Sequence, residues 1–476
     1  MKIFCLITLF LCITLSGCRN KKTDYSRLYG FWEKELVNKA GHQQFVAYFS
    51  QKGTDIECQF HSYLNGVKFS PEIGADIEFD GEFLSFIANQ NADVCYQGKL
   101  DSSKSTISGK LIYADGSDLE FNLKKINKEK LLEKYPGLLN LTKNDHQIKQ
   151  PEYKDDGWKI ASLTQSRVDS NSLYEMTESI RDKKWGEVHS VLIAEDGKLI
   201  FEKYFEGFFY SDLNSLQSCT KSIGSILTGI AIDKGYIKSV DQKILDFFPE
   251  YKDKSDQNWE NVKLKNLLTM SMGLDWDKDL HEKIYGISND VIKTAFKQKF
   301  SHEPGEIFEY RNPQTDILGG IIMRTTKQSV QDFAEEYLFG PLNIKKFFWE
   351  NYKETGYPLM SGSLALSSRS MLKIGQMVLD KGMWNDARVV AEKWIDESTS
   401  FKIKSDQTFG YAYLWWLGES QTKPGVKAVF AMGISGQLIV IIPDMNSVIV
   451  ITAGNMDREP EFLLNMIDEY IVKNSG

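Results

Sequence analysis

Along residues 29–126, short runs alternate apolar and polar positions with the two-residue period of half-buried strands, as at 45–49 and 119–123. Asn65-Gly66, Asp80-Gly81 and Asp115-Gly116 separate these runs. Such dipeptides supply the positive φ angles of tight type I′ hairpin turns. The pattern predicts a small all-β barrel or sandwich over residues 25–130. Beyond it the chain turns polar, with Pro136, Pro151 and a run of Lys and Asp, and residues 131–157 read as a linker. Residues 158–476 then make a second domain. It opens on strand-like segments at 190–194 and 199–201, joined by Glu195-Asp196-Gly197-Lys198. It closes on 437–442 and 447–452, around the turn Pro443-Asp444-Met445-Asn446. Helical periodicity dominates the middle. Strands at both ends of a long helical insertion predict one sheet built from both ends of the domain, with the amphipathic stretch 459–472 packed on it as a helix. The predicted class is α+β: an antiparallel sheet flanked by helices plus a helical subdomain, behind a small all-β domain.

The helical run at Ile223, Ile226, Leu227, Ile230 and Ala231 begins with Ser218-Cys219-Thr220-Lys221. Ser218 therefore falls at a helix N-terminus, with Lys221 one turn on and on the same face. A serine hydroxyl is a poor nucleophile until a base takes its proton, and a desolvated lysine is neutral enough to serve. Ser-x-x-Lys alone is a weak signal, since Ser370/Lys373 and Ser420/Lys423 repeat it. Only Ser218 has a usable partner downstream, Tyr310-Arg311-Asn312 behind Pro304-Gly305-Glu306. A phenol near a cationic lysine loses its proton more readily, so Tyr310 is the candidate general base toward Ser218 and acid toward the leaving group. Asn312 offers an amide to the substrate or to Lys221. Tyr63-Leu64-Asn65 has the same spacing but falls in a predicted hairpin. A third element, 431–437 (Ala-Met-Gly-Ile-Ser-Gly-Gln), leads into the 438–442 strand. Its small residues allow close approach to the backbone, and an N–H there would complete an oxyanion hole with that of Ser218.

Composition narrows the field. With 476 residues, 42% hydrophobic and 26% charged, the chain is globular material long enough for two folding units. A net charge of −8 gives no basic footprint for nucleic acid. The six His are scattered and no Cys-x-x-Cys occurs, so no metal site and no cofactor is implied. At the N-terminus, Lys2 precedes an apolar run over 3–14 and then Leu15-Ser16-Gly17-Cys18. Twelve residues are too few to span a bilayer. The segment resembles a bacterial lipobox, which implies a signal over 1–18, lipidation of Cys18, export, and membrane attachment through the lipid. A disulfide between Cys58 and Cys95 is open in such a compartment.

Ser218/Lys221, Tyr310/Asn312 and the 431–437 stretch, in this order, resemble the serine β-lactamase and penicillin-binding-protein superfamily, most of all its class C β-lactamase-like branch. The resemblance runs from about residue 158 to the C-terminus and includes 229–235, 267–274 and 410–416. It implies a β-lactamase-like fold, with Ser218 as the acylated nucleophile and Lys221 and Tyr310 as proton carriers. It also implies Asn312 as a contact to substrate and Lys221, and the Ile434 N–H as second oxyanion donor. Two departures matter. Where these enzymes carry Lys-Thr-Gly or a His variant, this chain has Ala431-Met432-Gly433, and the usual His-Thr-Ser-Gly-Leu becomes Met270-Ser271-Met272-Gly273-Leu274. Both are similar to the branch containing 6-aminohexanoate-dimer hydrolase and carboxylesterases. The resulting expectation is an exported serine hydrolase acting on an ester or amide of a small molecule, with Trp415 and Trp416 helping to keep water from the cleft. A D,D-carboxypeptidase or β-lactamase, and a non-catalytic binding protein on the same fold, are the alternatives. An α/β-hydrolase is a poor fit, since the sequence has no Gly-x-Ser-x-Gly and no His after an acidic residue near the C-terminus.

Overall fold

Eight antiparallel strands close into a barrel in the first of two units, which divide after Leu139. The computed structural model describes residues 24–38, 41–53, 55–89, 93–142, 147–253, 255–275, 290–352, 355–405 and 409–475. The expected signal segment and lipidation site Cys18 lie outside the described residues. The barrel strands are β1 (Gly30–Asn38), β2 (Gly41–Lys52), β3 (Asp55–Leu64), β4 (Glu72–Phe79), β5 (Phe83–Asn89), β6 (Val94–Leu100), β7 (Thr106–Ile112) and β8 (Leu123–Lys125). Each pairs with the next, and β8 pairs with both β7 and β1 and so closes the ring. The 119–123 run is thereby split at the buried Phe121, between a short strand Asp118–Glu120 and β8. Trp32, Phe49, Tyr96 and Phe121 are fully buried. Edge contacts such as Tyr96 on Phe121, 6.2 Å apart at 79°, pack them together. The interior is filled by side chains, as in other small barrels.

The hairpin signals divide into two kinds. Only Asn65-Gly66 has both φ angles positive, at 50° and 82°. At the other two sites glycine alone turns left-handed, because the aspartate carboxylate caps the turn itself. Asp80 Oδ1 accepts from the N–H of Glu82 at 2.8 Å and of Phe83 at 2.7 Å, and Asp115 Oδ1 from Ser117 N–H at 2.9 Å.

The expected linker over 131–157 is in part ordered structure. Helix α1 (Lys128–Lys134) and a 3₁₀ segment (Pro136–Thr142) occupy its start, with Leu131, Tyr135 and Leu138 buried. Tyr135 packs on Tyr63 at 5.3 Å and accepts from Gln44 at 3.2 Å, while Lys134 pairs with Glu35 at 2.5 Å. The polar composition reflects the outer face of this segment; its few apolar residues are spaced to bury. No disulfide joins Cys58 and Cys95, the pairing that the sequence left open. They sit on β3 and β6, which are not neighbours in the sheet.

In the second unit, β9 (Val188–Glu195), β10 (Lys198–Tyr204), β11 (Trp416–Glu419), β12 (Lys427–Gly433), β13 (Gln437–Ile442) and β14 (Ser447–Ala453) form the core of one antiparallel sheet. Their order is β10-β9-β14-β13-β12-β11, so both ends of the domain do meet in one sheet, at β9 and β14. Every residue of β9, β13 and β14 is buried. Side chains alternate between the two faces. On one face, helix α5 (Ser368–Leu379) lies so close that a Cβ on Gly375 would meet Val448 at 2.4 Å. On the other, helix α6 (Phe462–Ile467), continued by a wider turn over Asp468–Val472, places Leu463 against Gly436 and Ala453. Helix α2 (Ser170–Arg181) packs beside it. The α5 face also carries helix α3 (Cys219–Asp233), buried throughout from Cys219 to Ala231, and helix α4 (Asn312–Thr326) packed against it. Among the described residues no helix is long and apolar enough to cross a membrane.

Candidate active site

Ser218 is the residue immediately before α3, but it does not cap that helix with its side chain. A capping serine needs extended backbone to fold its oxygen back onto the N2 or N3 amide. Ser218 is already helical, at φ −64° and ψ −10°. The residue before it, Gln217, takes the left-handed φ of 48°, a sharp entry for a non-glycine residue. That turn leaves the Ser218 hydroxyl available to other partners.

Lys221, one helical turn later and 1% exposed, donates to Ser218 Oγ at 2.8 Å and to the Ser361 carbonyl at 2.6 Å. Burial drives its pKa from 10.5 down to about 7, against the opposing pull of the Asp316 carboxylate. Near neutrality this amine is therefore part neutral and able to accept a proton.

Tyr310 completes the cluster. Lys221 Nζ stands 5.0 Å from its ring centroid. The ring stacks on Trp416 at 5.6 Å and 27°, and meets Tyr411 edge-on at 6.4 Å. Burial among these rings pushes the phenol well above its usual range, and its hydrogen bond with Ser218 pulls it down by less. This corrects the expectation that the neighbouring lysine would ease its ionisation. Desolvation dominates, so Tyr310 rests as a neutral phenol while Lys221 is the more readily deprotonated group.

Asn312, half-buried at the start of α4, is near this cluster in sequence but is not wired to Lys221 as expected. Among the described residues its side-chain amide makes no hydrogen bond, and Lys221 is held by Ser218 and Ser361 instead. Ile434 follows β12 directly, and its side chain is 53% exposed. The residue before it, Gly433, brings the strand end against the nucleophile. A Cβ there would lie 2.6 Å from the Leu216 carbonyl and 3.0 Å from Ser218 N. Ala431, two residues earlier and so on the same face, is fully buried. Trp415 is also fully buried, while Trp416 is the one that reaches Tyr310.

Two contributors were not anticipated from the sequence. Asp316, fully buried, accepts from Ser361 N–H at 2.8 Å and from Tyr352 O–H at 2.9 Å. It thus fixes the peptide whose carbonyl holds Lys221. The available signal was a lone carboxylate directly before the apolar run 317–322, one turn beyond Asn312. Ser361 acts through its backbone, which no side-chain pattern reveals. The other Ser-x-x-Lys pairs have structural roles. Lys373 bonds the Asn343 carbonyl, and Lys423 the Ser475 carbonyl. Cys219 is buried and donates to the Gln437 carbonyl at 3.2 Å, and desolvation raises its thiol pKa.

A family model described as Beta-lactamase matches residues 183–466. 6-Aminohexanoate-dimer hydrolase of Paenarthrobacter ureafaciens is 22% identical over 284 residues, which is 54% of this chain and 70% of that protein. Among solved structures, EstCE1, a hydrolase with promiscuous acyltransferase activity, superposes with a TM-score of 0.53 at 11% identity, covering 63% of this chain and 98% of that one. A class C beta-lactamase gives a TM-score of 0.52 at 15% identity, covering 63% and 94%. At these identities the structural likeness establishes the fold.

Proposed function

The chain belongs to the Beta-lactamase family and is a serine hydrolase, and we propose that it cleaves an ester or amide of a small molecule through an acyl-enzyme on Ser218. The observation that carries this reading is the 2.8 Å contact between Ser218 and a buried Lys221 whose pKa is about 7. Neutral Lys221 takes the Ser218 proton as Oγ adds to the substrate carbonyl. The developing oxyanion lies against the N–H groups of Ser218 and Ile434. The proton then passes from Lys221 by way of the Tyr310 phenol to the leaving oxygen or nitrogen, which departs and leaves the ester on Ser218. Water then adds to the acyl carbon, giving its proton to Lys221, which returns it to Ser218 Oγ as the acyl–Oγ bond breaks and the acid leaves. The free Asn312 amide is placed to bind the substrate.

Ala431 supports a substrate without a carboxylate at that position, and so favours this reading over a peptidase or β-lactamase. The activities of 6-aminohexanoate-dimer hydrolase and EstCE1, to which the chain is similar, support the same reading. The decisive experiment is labelling of the full-length protein with a fluorophosphonate, beside Ser218→Ala. Labelling lost in the variant supports an activated Ser218 and leads to a screen of p-nitrophenyl esters, short amides and nitrocefin. No labelling of the wild type from about pH 6 to 9, the range over which such bases titrate, favours a binding protein on the same fold.

The lipobox-like stretch ending in Cys18 supports export and lipid anchoring. Incorporation of a tagged palmitate during growth is expected in the wild type and absent in Cys18→Ala. Equal incorporation in both would remove the anchor from the proposal.

A further inference from the structure

On the sheet face opposite α5, between the β11–β13 strands and the C-terminal helix, lies a cavity of about 650 Å³. That is within the range of small-molecule pockets, about 300–1,000 Å³. Its floor is apolar and built by alternation: Ala428, Phe430, Val440 and Ile442 point the same way from adjacent strands. Gly418 and Ala428, paired across β11 and β12, leave the space that larger side chains would fill.

The opposite wall is of different character. Beside the apolar Phe462, Leu464, Ile467 and Val472, it carries Glu461, Asn465 and Asp468 at helical spacing. Asp468 is satisfied, accepting from Ser420 O–H and from Thr422 N–H. Glu461 is satisfied only in part: a backbone N–H bonds its carboxylate, but its Oε2 is buried and has no hydrogen-bond partner among the described residues. A buried polar atom left unpaired is costly and uncommon, and calls for a partner. Glu419 and Glu459 add two more acids to the lining, which among the described residues includes no Lys, Arg or His.

We propose that this cavity is a second binding site, separate from Ser218, for a small cationic amphiphile: an alkyl or aryl body on the sheet floor and an ammonium or amidinium head on Glu461. The apolar floor sets the body, and the unmatched acidic end sets the sign of the head. Desolvation raises the Glu461 pKa, and a bound cation would restore its ionised form.

The test is calorimetric titration of the full-length protein with n-octylamine, against octanol and octanoate as chain-matched probes. One molecule of octylamine is expected to bind at least tenfold more tightly than either, the margin typical of a charge-assisted contact worth about 1.4 kcal/mol or more. Glu461→Gln keeps the shape and should erase that preference. Ala428→Leu should fill the floor and weaken all three probes. Protein blocked at Ser218 by a fluorophosphonate should bind octylamine unchanged. Equal affinity for octanol and octylamine, or binding lost on blocking Ser218, overturns the proposal. So does an octylamine affinity unmoved by Glu461→Gln, a variant whose fold can be checked by its melting temperature.

Discussion

If Lys221 is the base that activates Ser218, the rate of Ser218 acylation must follow its neutral fraction. With a pKa of about 7, roughly one-tenth of Lys221 is neutral at pH 6 and about nine-tenths at pH 8. The labelling rate with a fluorophosphonate should therefore rise about tenfold over that interval and flatten above it. A lysine left at its ordinary value would behave differently. Its rate would climb about a hundredfold between pH 6 and 8 and keep climbing, because the neutral form would still be a trace species at the upper end. Tyr310 offers no inflexion in this window, because burial moves it upward. Two variants separate the causes. Lys221→Arg stays charged at every accessible pH, so the rate should fall by about 10²–10⁴ and lose its inflexion. Asp316→Asn removes the carboxylate that raises the Lys221 pKa while keeping an acceptor for Ser361 N–H. Its midpoint should move to lower pH, making the variant faster than wild type at pH 6. Rates are read by quenched labelling at matched ionic strength. A wild-type midpoint above pH 9, or an Asp316→Asn midpoint shifted upward, would refute the assignment.

Four further outcomes follow from the same geometry. The folded pKa of Lys221 lies below its unfolded value of 10.5, so between about pH 7 and 10.5 the unfolded chain binds more protons and wild-type stability rises with pH. Lys221→Met should thus be more stable than wild type at pH 7, by up to about 5 kcal/mol, with the gap closing toward pH 10.5 in urea titrations. Gly433→Ala places a methyl 2.6 Å from the Leu216 carbonyl and 3.0 Å from Ser218 N. The backbone must shift, and labelling should slow by more than about tenfold for a stability loss of about 1–3 kcal/mol; unchanged labelling would show that the strand end does not position Ser218. Tyr310→Phe retains the stack on Trp416 and should lower turnover by about 10²-fold with little change in melting temperature. A fall in melting temperature matching the loss of activity would make the phenol structural instead. Arg369, 2% exposed, is paired with Glu202 at 2.5 Å and Asp156 at 3.1 Å. Removing it strands a buried carboxylate, so Arg369→Ala should cost about 3–5 kcal/mol in denaturation experiments.

Where the sequence was legible, the signal was periodic or local. The α3 stripe from Ile223 to Ala231 is buried as its spacing required, and the strand pairs at the two ends of the domain meet at β9 and β14. The contact between Ser218 and Lys221 followed from one turn of helix. What could not be read was tertiary. Closure of the barrel depends on three residues, Leu123–Lys125, pairing with strands at both ends of that unit. No pattern within three residues announces such a role. The start of this segment read as linker because its charged residues outnumber Leu131, Tyr135 and Leu138, yet those three bury. The Tyr310 pKa went the other way because the aromatic ring of residues 411 and 416 is distant in sequence, whereas Lys221 was the only neighbour in view. The Asn312 contact failed for a related reason. The place expected for its amide is taken by the Ser361 carbonyl, held there by Asp316.

Base activation and substrate charge are linked at Ala431. A basic site can keep a lysine neutral in two ways, by burying it or by setting another cation beside it. Here burial is the leading cause of the low Lys221 pKa and no cation contributes to it. Residue 431 shares a sheet face with Gly433, where an added Cβ would lie 3.0 Å from Ser218 N, so a cation at position 431 would project toward the nucleophile. It would serve two ends at once, repelling a proton from Lys221 and attracting an anionic substrate. With alanine there, both effects are absent, and the low Lys221 pKa rests on burial, the side chain being 1% exposed. A dry pocket that holds an amine neutral is also a poor host for an unpaired carboxylate, which would lose its hydration without gaining a counter-ion. The same desolvation that lowers the Lys221 pKa would disfavour an anionic acyl group, which is the physical ground for the substrate class proposed above.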